Sequence, residues 1–200
     1  VAYSAHVGIG TLPILYYGTE EQKQKYIPGL ANGKLVGAYC LTEADAGSDP
    51  NSGKAEAVLT KDGKFYNLNG VKIWITNGGV ADLFIVFAKV KGDKNLSAFI
   101  IEKELKGLTI GADEVKMGIR GSTTVQLYMD DVKVPVENML GEQNSGFKIA
   151  LNILNLGRIK LSGATVGACK ATIDNALNYA NERKQFGSPI SNFGAIKFKL

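Results

Sequence analysis

The sequence predicts an α+β chain: helices, then an antiparallel sheet closing into a barrel or a sandwich, then helices again. Three observations lead there. The apolar period is helical over residues 1–34, becomes two from about residue 35 to 134, and returns to helical from about 145. The dipeptides Asp62-Gly63 and Asn69-Gly70 stand between consecutive alternating runs, and both favour the positive φ of tight hairpins. The block order of helices, strands and helices is unlike the alternating plan of a dinucleotide-binding βαβ fold.

Taken in order, Thr19 with Gln22 forms a capping box that opens a polar helix over Glu20 to Tyr26, which Pro28 ends or kinks. Strands are expected at Leu35–Thr42, Ala55–Thr60, Lys64–Leu68, Val71–Thr76, Leu83–Val90, Leu96–Glu102 and Thr123–Asp130. Seven or eight short strands in an antiparallel meander follow from them. In the last part, Val166, Cys169, Ile173, Leu177 and Ala180 step by 3, 4, 4 and 3, one buried stripe of a helix. Arg183 and Lys184 fall in its last turn, where the dipole favours cations. Gly187 and Pro189 end it, and another helix begins near Ser191.

Composition narrows the function. The chain has 200 residues, 45% hydrophobic and 21% charged, enough for a globular core. No run approaches the ~18 apolar residues of a membrane span. The net charge of +4 is interspersed, as on a solvated surface; a preference for an anionic ligand is the lesser reading. Two cysteines, Cys40 and Cys169, exclude a disulfide scaffold and a four-cysteine zinc site, and the helical stripe puts Cys169 in the core. A single histidine, His6, argues against a histidine metal site or a Ser-His-Asp triad, so no metal is expected. Val7-Gly8-Ile9-Gly10-Thr11-Leu12-Pro13 lacks the third glycine of a dinucleotide fingerprint, and no Walker lysine motif occurs. Asn95-Leu96-Ser97 is a chance sequon opening a strand. Lysines and aromatics form no nucleic-acid stripe. Twenty-four glycines imply turns or close approaches. The start at Val1 and the end inside a helix-like Ala195–Leu200 are expected of a fragment of a longer protein.

Two segments look built for a ligand. In Ala38-Tyr39-Cys40-Leu41-Thr42-Glu43-Ala44-Asp45-Ala46-Gly47-Ser48-Asp49, alternation puts the small residues Ala38, Cys40 and Thr42 on one face, able to admit something flat. The loop that follows offers Gly47, the Ser48 hydroxyl and backbone N–H groups to an anion. Alone it reads as a polar turn. In Gly70-Val71-Lys72-Ile73-Trp74-Ile75-Thr76-Asn77-Gly78, alternation puts Val71, Ile73 and Ile75 on one face and Trp74 with Thr76 on the other. An indole beside a hydroxyl suits a conjugated ring, although a lone Trp is more often core.

These segments resemble the acyl-CoA dehydrogenase family. Leu41-Thr42-Glu43, Ala46-Gly47-Ser48-Asp49 and Gly70-Val71-Lys72-Ile73-Trp74-Ile75-Thr76-Asn77 are similar to its motifs in order and separation. So are Met117-Gly118-Ile119-Arg120-Gly121-Ser122, Asp131-Val132-Lys133-Val134-Pro135 with Asn138-Met139-Leu140-Gly141, and Arg183-Lys184-Gln185-Phe186-Gly187. Asn155-Leu156-Gly157-Arg158 and Ile190-Ser191-Asn192-Phe193 look most like the very-long-chain branch.

The resemblance implies a multidomain α+β protein, a central antiparallel β-barrel flanked by partial all-α domains. Residues 1–34 would end an N-terminal helical domain, 35–144 form the barrel, and 145–200 begin a C-terminal four-helix domain. It implies FAD as cofactor and α,β-dehydrogenation of a fatty acyl-CoA in β-oxidation. Tyr39, Leu41 and Thr42 would line the flavin pyrimidine, largely through backbone groups and the Thr42 hydroxyl. Trp74, Ile75 and Thr76 would cover the ring, with the Thr76 hydroxyl near N5. Gly47 and Ser48 would approach the FAD pyrophosphate or CoA. Arg183, Gln185 and Phe186 would meet the FAD of a neighbouring subunit, and Asn155, Leu156, Gly157 and Arg158 would lie by the acyl-CoA. In some branches the catalytic glutamate sits just before the arginine of that last box; here the position is Gly157, so no catalytic base is expected in these residues. Glu43, Asp45 and Asp49 are bases on chemistry alone. Expected partners are acyl-CoA, electron-transfer flavoprotein and like subunits in a homodimer or homotetramer, without nucleic acid. The expected location is cytoplasmic in a bacterium, or the mitochondrial matrix in a eukaryote. An acyl-CoA oxidase, a non-catalytic flavin-binding member and a plain β-barrel binding module are the alternatives.

Overall fold

The computed structural model describes residues 1–200, in two compact units, Val1–Asn155 and Leu156–Leu200. The first opens with α1 (Ala2–Ser4), which runs into a π-helical turn (Ala5–Gly10), then α2 (Leu12–Tyr17) and α3 (Glu20–Ala31). The capping box forms as expected. The Gln22 amide donates to Thr19 Oγ1 at 3.2 Å, and the Thr19 amide donates to Gln22 Oε1 at 3.0 Å. Pro28 does not end α3. The helix continues through it to Ala31 and stops where Gly33 turns to φ +76°.

An eight-stranded sheet follows. Its strands are β1 (Gly37–Cys40), β2 (Glu56–Leu59), β3 (Phe65–Thr76), β4 (Leu83–Val90), β5 (Leu96–Glu102), β6 (Leu108–Ile110), β7 (Thr124–Pro135) and β8 (Met139–Leu140). The main order is β6-β7-β3-β2-β4-β5-β8, with β1 also paired to β4. The sheet is mixed rather than a pure antiparallel meander, because β1 and β2 both run parallel to β4. No ladder joins β6 to β8.

Asp62-Gly63 makes the expected hairpin, with Gly63 at φ +69°. Asn69-Gly70 does not turn. The two strands expected on either side of it are one twelve-residue strand, β3, with a register shift between Leu68 and Gly70. The reason is local. Asn69 Oδ1 accepts from the Asp131 amide at 2.8 Å, and its Nδ2 donates to Asp131 Oδ1 at 2.8 Å, so the dipeptide is spent on holding a bulge of β7, which carries one residue more than β3 there. The sequon is structural too, since Ser97 lies wholly buried in β5.

Two apolar cores flank the sheet. One gathers Ala38, Cys40, Leu68, Ile75, Phe84, Val86, Phe99, Val125 and Leu127. The other joins Ile14, Tyr26 and Leu30 from the N-terminal helices to Tyr39, Ile85, Phe87 and Ile100, and to Ile149 and Ile153 near the start of α4 (Gly146–Glu182). His6 ties helix to sheet: its Nε2 lies 3.0 Å from the Leu30 carbonyl, and its Nδ1 accepts from the Gly37 amide at 3.1 Å.

In the second unit α4 runs on to Glu182 and is followed by a two-strand hairpin, β9 (Lys184–Gln185) and β10 (Ser188–Pro189). A 3-10 turn (Ile190–Asn192) and α5 (Gly194–Lys197) complete it, close to the expected helix start near Ser191. The expected buried stripe is exposed: Val166 by 70%, Ile173 by 51% and Leu177 by 40%, with Cys169 exposed as well and Ala180 buried. An apolar stripe is buried only by another element, and β9, β10 and the four-residue α5 are too short to cover a 37-residue helix.

Candidate functional site

The site begins at β1. Strand alternation sends Ala38 and Cys40 into the first core and Tyr39 into the second. The small-residue face therefore admits nothing flat: Ala38 is 1% exposed and Cys40 is fully buried, and burial pushes the Cys40 thiol up. Tyr39 packs its ring 4.9 Å from Phe87 and donates its hydroxyl to the Ala150 carbonyl at 3.3 Å. Burial raises its phenol as well. Leu41 packs beside it, so both side chains belong to the protein interior.

Past Thr42 the chain turns sharply. The Ala46 amide donates to the Glu43 carbonyl at 3.1 Å, and the Glu43 amide donates to the Ala46 carbonyl at 3.2 Å. Gly47, Ser48 and Asp49 follow on the surface, and a Cβ at Gly47 would meet open space. Asp45 is also outward, 3.1 Å from Lys54. Glu43 is not free to act as a base. Its Oε1 lies 2.6 Å from Lys72 Nζ, and its Oε2 accepts from the Lys54 amide at 2.6 Å and the Ala55 amide at 3.2 Å. Burial opposes its charge, but Lys72 and the two amides outweigh this and hold the carboxyl below its ordinary range. Burial pulls the Lys72 ammonium below its ordinary value, with Glu43 opposing.

The second segment is β3. Lys72 pairs with Leu127 and Ile75 with Val125, so β3 carries one residue more than β7 between them. This bulge overturns the expected alternation. Val71 is 40% exposed, Lys72 is fully buried, and Ile75 is 1% exposed. Within the bulge Trp74 adopts φ +59° and stands 59% exposed. A left-handed conformation costs a residue with a Cβ about 1–2 kcal/mol, and such strain tends to sit at functional sites. Thr42 and Thr76 are partly exposed. The Ile73 amide, released from β7, donates to the Thr42 carbonyl at 2.9 Å. The structure thus brings the Thr42 and Trp74 segments side by side. Beyond them Asn77, at φ +66° and buried, donates its Nδ2 to the Ala2 carbonyl at 2.8 Å.

Sequence reasoning missed Lys72 and Asn77. A signal for Lys72 exists: Tyr66, Leu68, Gly70 and Lys72 share one parity, and Tyr66 and Leu68 are core. A lysine on that parity requires a buried anion.

The remaining residues lie on α4 and after it. Asn155, at the end of the first unit, is exposed. In the second unit Leu156 and Arg158 are exposed and Gly157 is partly buried. Arg183, Gln185 and Phe186 lie around the β9–β10 hairpin. Phe186 at φ +51° and Gly187 at φ +76° form its tip, the double positive φ of a type I′ turn, which leaves Phe186 95% exposed.

Three family models match in chain order: the N-terminal domain of acyl-CoA dehydrogenase over residues 1–34, the middle domain over 38–132 and the C-terminal domain over 144–200. A probable acyl-CoA dehydrogenase of Bacillus subtilis is 52% identical over the whole chain, which spans 34% of that protein. The very long-chain specific acyl-CoA dehydrogenase of rat mitochondria is 48% identical, the chain spanning 32% of it. Among solved structures, an acyl-CoA dehydrogenase from Bacillus anthracis complexed with FAD superposes with a TM-score of 0.92 at 49% identity. That match covers 99% of this chain and 34% of the other. The chain thus spans about a third of these relatives.

Proposed function

The chain belongs to the acyl-CoA dehydrogenase family, and from that premise we propose that it is the FAD-holding part of an enzyme that dehydrogenates a fatty acyl-CoA at the α and β carbons. The observation that carries this reading is the pairing of Thr42 with a strained, exposed Trp74 across the Ile73–Thr42 hydrogen bond. Strain at an exposed aromatic has no packing purpose, and it fits an indole held ready to cover a ring. FAD, when bound there, would supply the two-electron acceptor for the reaction. The Thr42 and Thr76 hydroxyls would meet its heteroatoms, with Tyr39 and Leu41 contributing backbone groups beside the pyrimidine and Ile75 adjoining Trp74 over the ring. Gly47 and Ser48 are open enough for a pyrophosphate or CoA to approach the backbone. The exposed hairpin of Arg183, Gln185 and Phe186 suits contact with a neighbouring subunit's FAD, and Asn155 to Arg158 would border the acyl-CoA. The base is assigned to no residue of this chain, since Gly157 carries no proton acceptor and Glu43 is committed to Lys72.

We also read residues 35–144 as a barrel between two helical domains, 1–34 and 145–200. The support is one apolar core that draws residues from β1 to β5 and β7 while Leu108, Ile110 and Met139 pack against it. Electron-transfer flavoprotein as acceptor, and a homodimer or homotetramer, follow from the family resemblance alone.

The test is anaerobic reduction of the full-length protein's flavin by acyl-CoAs of several chain lengths. Bleaching with one length class is expected, and slower bleaching in Thr76→Ala with its flavin retained. No bleaching with any acyl-CoA overturns the reading. Bleaching with rapid reoxidation by oxygen would make it an oxidase.

A further inference from the structure

We propose that the buried Glu43–Lys72 ion pair is a positioning clamp: it aims Thr42 and holds Trp74 in its strained conformation, so that the two ligand-facing segments present one surface. Its link to flavin rests on the functional reading above; its geometry does not.

The clamp grips three consecutive residues. Lys72 Nζ donates to the Leu41 carbonyl at 3.1 Å and to Glu43 Oε1 at 2.6 Å, one residue to either side of Thr42. The next residue of β3, Ile73, donates its amide to the carbonyl of Thr42 itself at 2.9 Å. Two adjacent residues of β3 therefore hold the backbone carbonyls of Leu41 and Thr42 and the side chain of Glu43. Glu43 anchors the other side. Its carboxylate is the junction of the turn after β1, the amides of Lys54 and Ala55 entering β2, and the ammonium of β3.

Stability alone does not account for the pair. Lys72 is fully buried, and a buried pair can often be replaced by apolar residues of similar volume without loss. An apolar contact, however, has no direction. It would fill the space while leaving residues 41 to 43 free to shift against β3. The bulge makes that freedom costly to function, because Ile73 and Trp74 have left the β7 ladder between Lys72↔Leu127 and Ile75↔Val125. With β7 no longer holding them, the Thr42 carbonyl and the ion pair are what keep the bulge in its strained shape.

The experiment uses the full-length protein as Lys72→Met and as Lys72→Met with Glu43→Gln. Glu43→Gln alone is avoided, since it strands a buried ammonium. Two readouts are taken: amide hydrogen exchange in the FAD-free protein, comparing the peptide holding Ile73 with peptides of β4 and β5, and the FAD dissociation constant. The double variant should keep the parent's exchange in β4 and β5, while the Ile73 amide exchanges about tenfold faster or more. Its FAD dissociation constant should rise about tenfold. Should the double variant not fold, Lys72→Met carries the same two measurements, because Glu43 keeps its two backbone amides. Parent-like exchange at Ile73, or acceleration no greater than that in β4 and β5, overturns the clamp. If the parent binds no FAD, the functional reading falls, and the exchange comparison still decides the clamp.

Discussion

β4 and β3 lie on either side of β2 in the same sheet and are built on opposite terms. β4 is apolar over almost its whole length. It pairs with β5 across seven residues without a shift, and β1 and β2 share its other edge. Leu83 to Ala88 are all buried. β3 carries two register shifts, a buried lysine, and Gly70 and Trp74 at positive φ. The regular strand does nothing but hold the sheet together. The irregular one gives up ladder bonds to β7 and spends them on Thr42 and on an exposed indole. Departures from regular pairing therefore fall in the part of the sheet that we propose to face a ligand.

Phe84→Ala is the strongest way to separate the two strands. Phe84 is fully buried in the first core, to which neither Thr42 nor Trp74 belongs. Its truncation should cost about 3–5 kcal/mol, read by denaturant unfolding of the full-length protein, while FAD affinity of the folded molecules stays within about twofold. A variant that keeps its stability but loses FAD would erase the division of labour between β4 and β3.

The same contrast explains what was legible in the sequence. Leu83–Val90 and Leu96–Glu102 are expected as strands of the period-two region and are observed at those bounds. Periodicity suffices there because nothing competes with burial. It fails at Asn69-Gly70, where a long-range pair with Asp131 takes over the turn residues. It fails again at Val71–Ile75, where one extra residue flips the faces. Thr42, Trp74 and Thr76 were recognisable as a motif, but their joining depends on Lys72 and Glu43, whose partnership spans 29 positions. The helical stripe around Cys169 is legible as amphipathic, yet periodicity cannot say whether a covering element is at hand.

The ion pair makes β3 sensitive to acid where β4 is not. Burial raises the Glu43 carboxyl, but Lys72 and the amides of Lys54 and Ala55 prevail, so the folded value lies below its ordinary 4.5. Between the two values the unfolded chain binds the extra proton, so the pair's contribution is full above about 4.5 and is lost as pH falls through the folded value. Lys72→Met should therefore cost about 1–3 kcal/mol near neutrality, with that gap narrowing as unfolding is measured at successively lower pH. For Phe84→Ala the gap should stay flat. A Lys72→Met gap that is constant from about pH 7 to about pH 3.5 would remove the charge from the account.

The smallest effect is the sharpest test of the flipped face. Alternation counted back from the buried Ile75 puts Ile73 and Val71 on its face, whereas the bulge between Lys72 and Ile75 breaks that count and leaves Val71 40% exposed. Val71→Thr should then change stability by no more than about 0.5 kcal/mol. The same substitution at Val86 of β4, fully buried, places a hydroxyl in an apolar core and should cost about 1–3 kcal/mol. Both changes swap one methyl for one hydroxyl on a β-branched side chain, so strand propensity nearly cancels. What remains is burial, and burial is what the bulge decides. Equal losses at the two positions would mean that Val71 shares the buried face of Ile75, with no bulge between them. In that case Lys72 would face outward and its bond to Glu43 could not form.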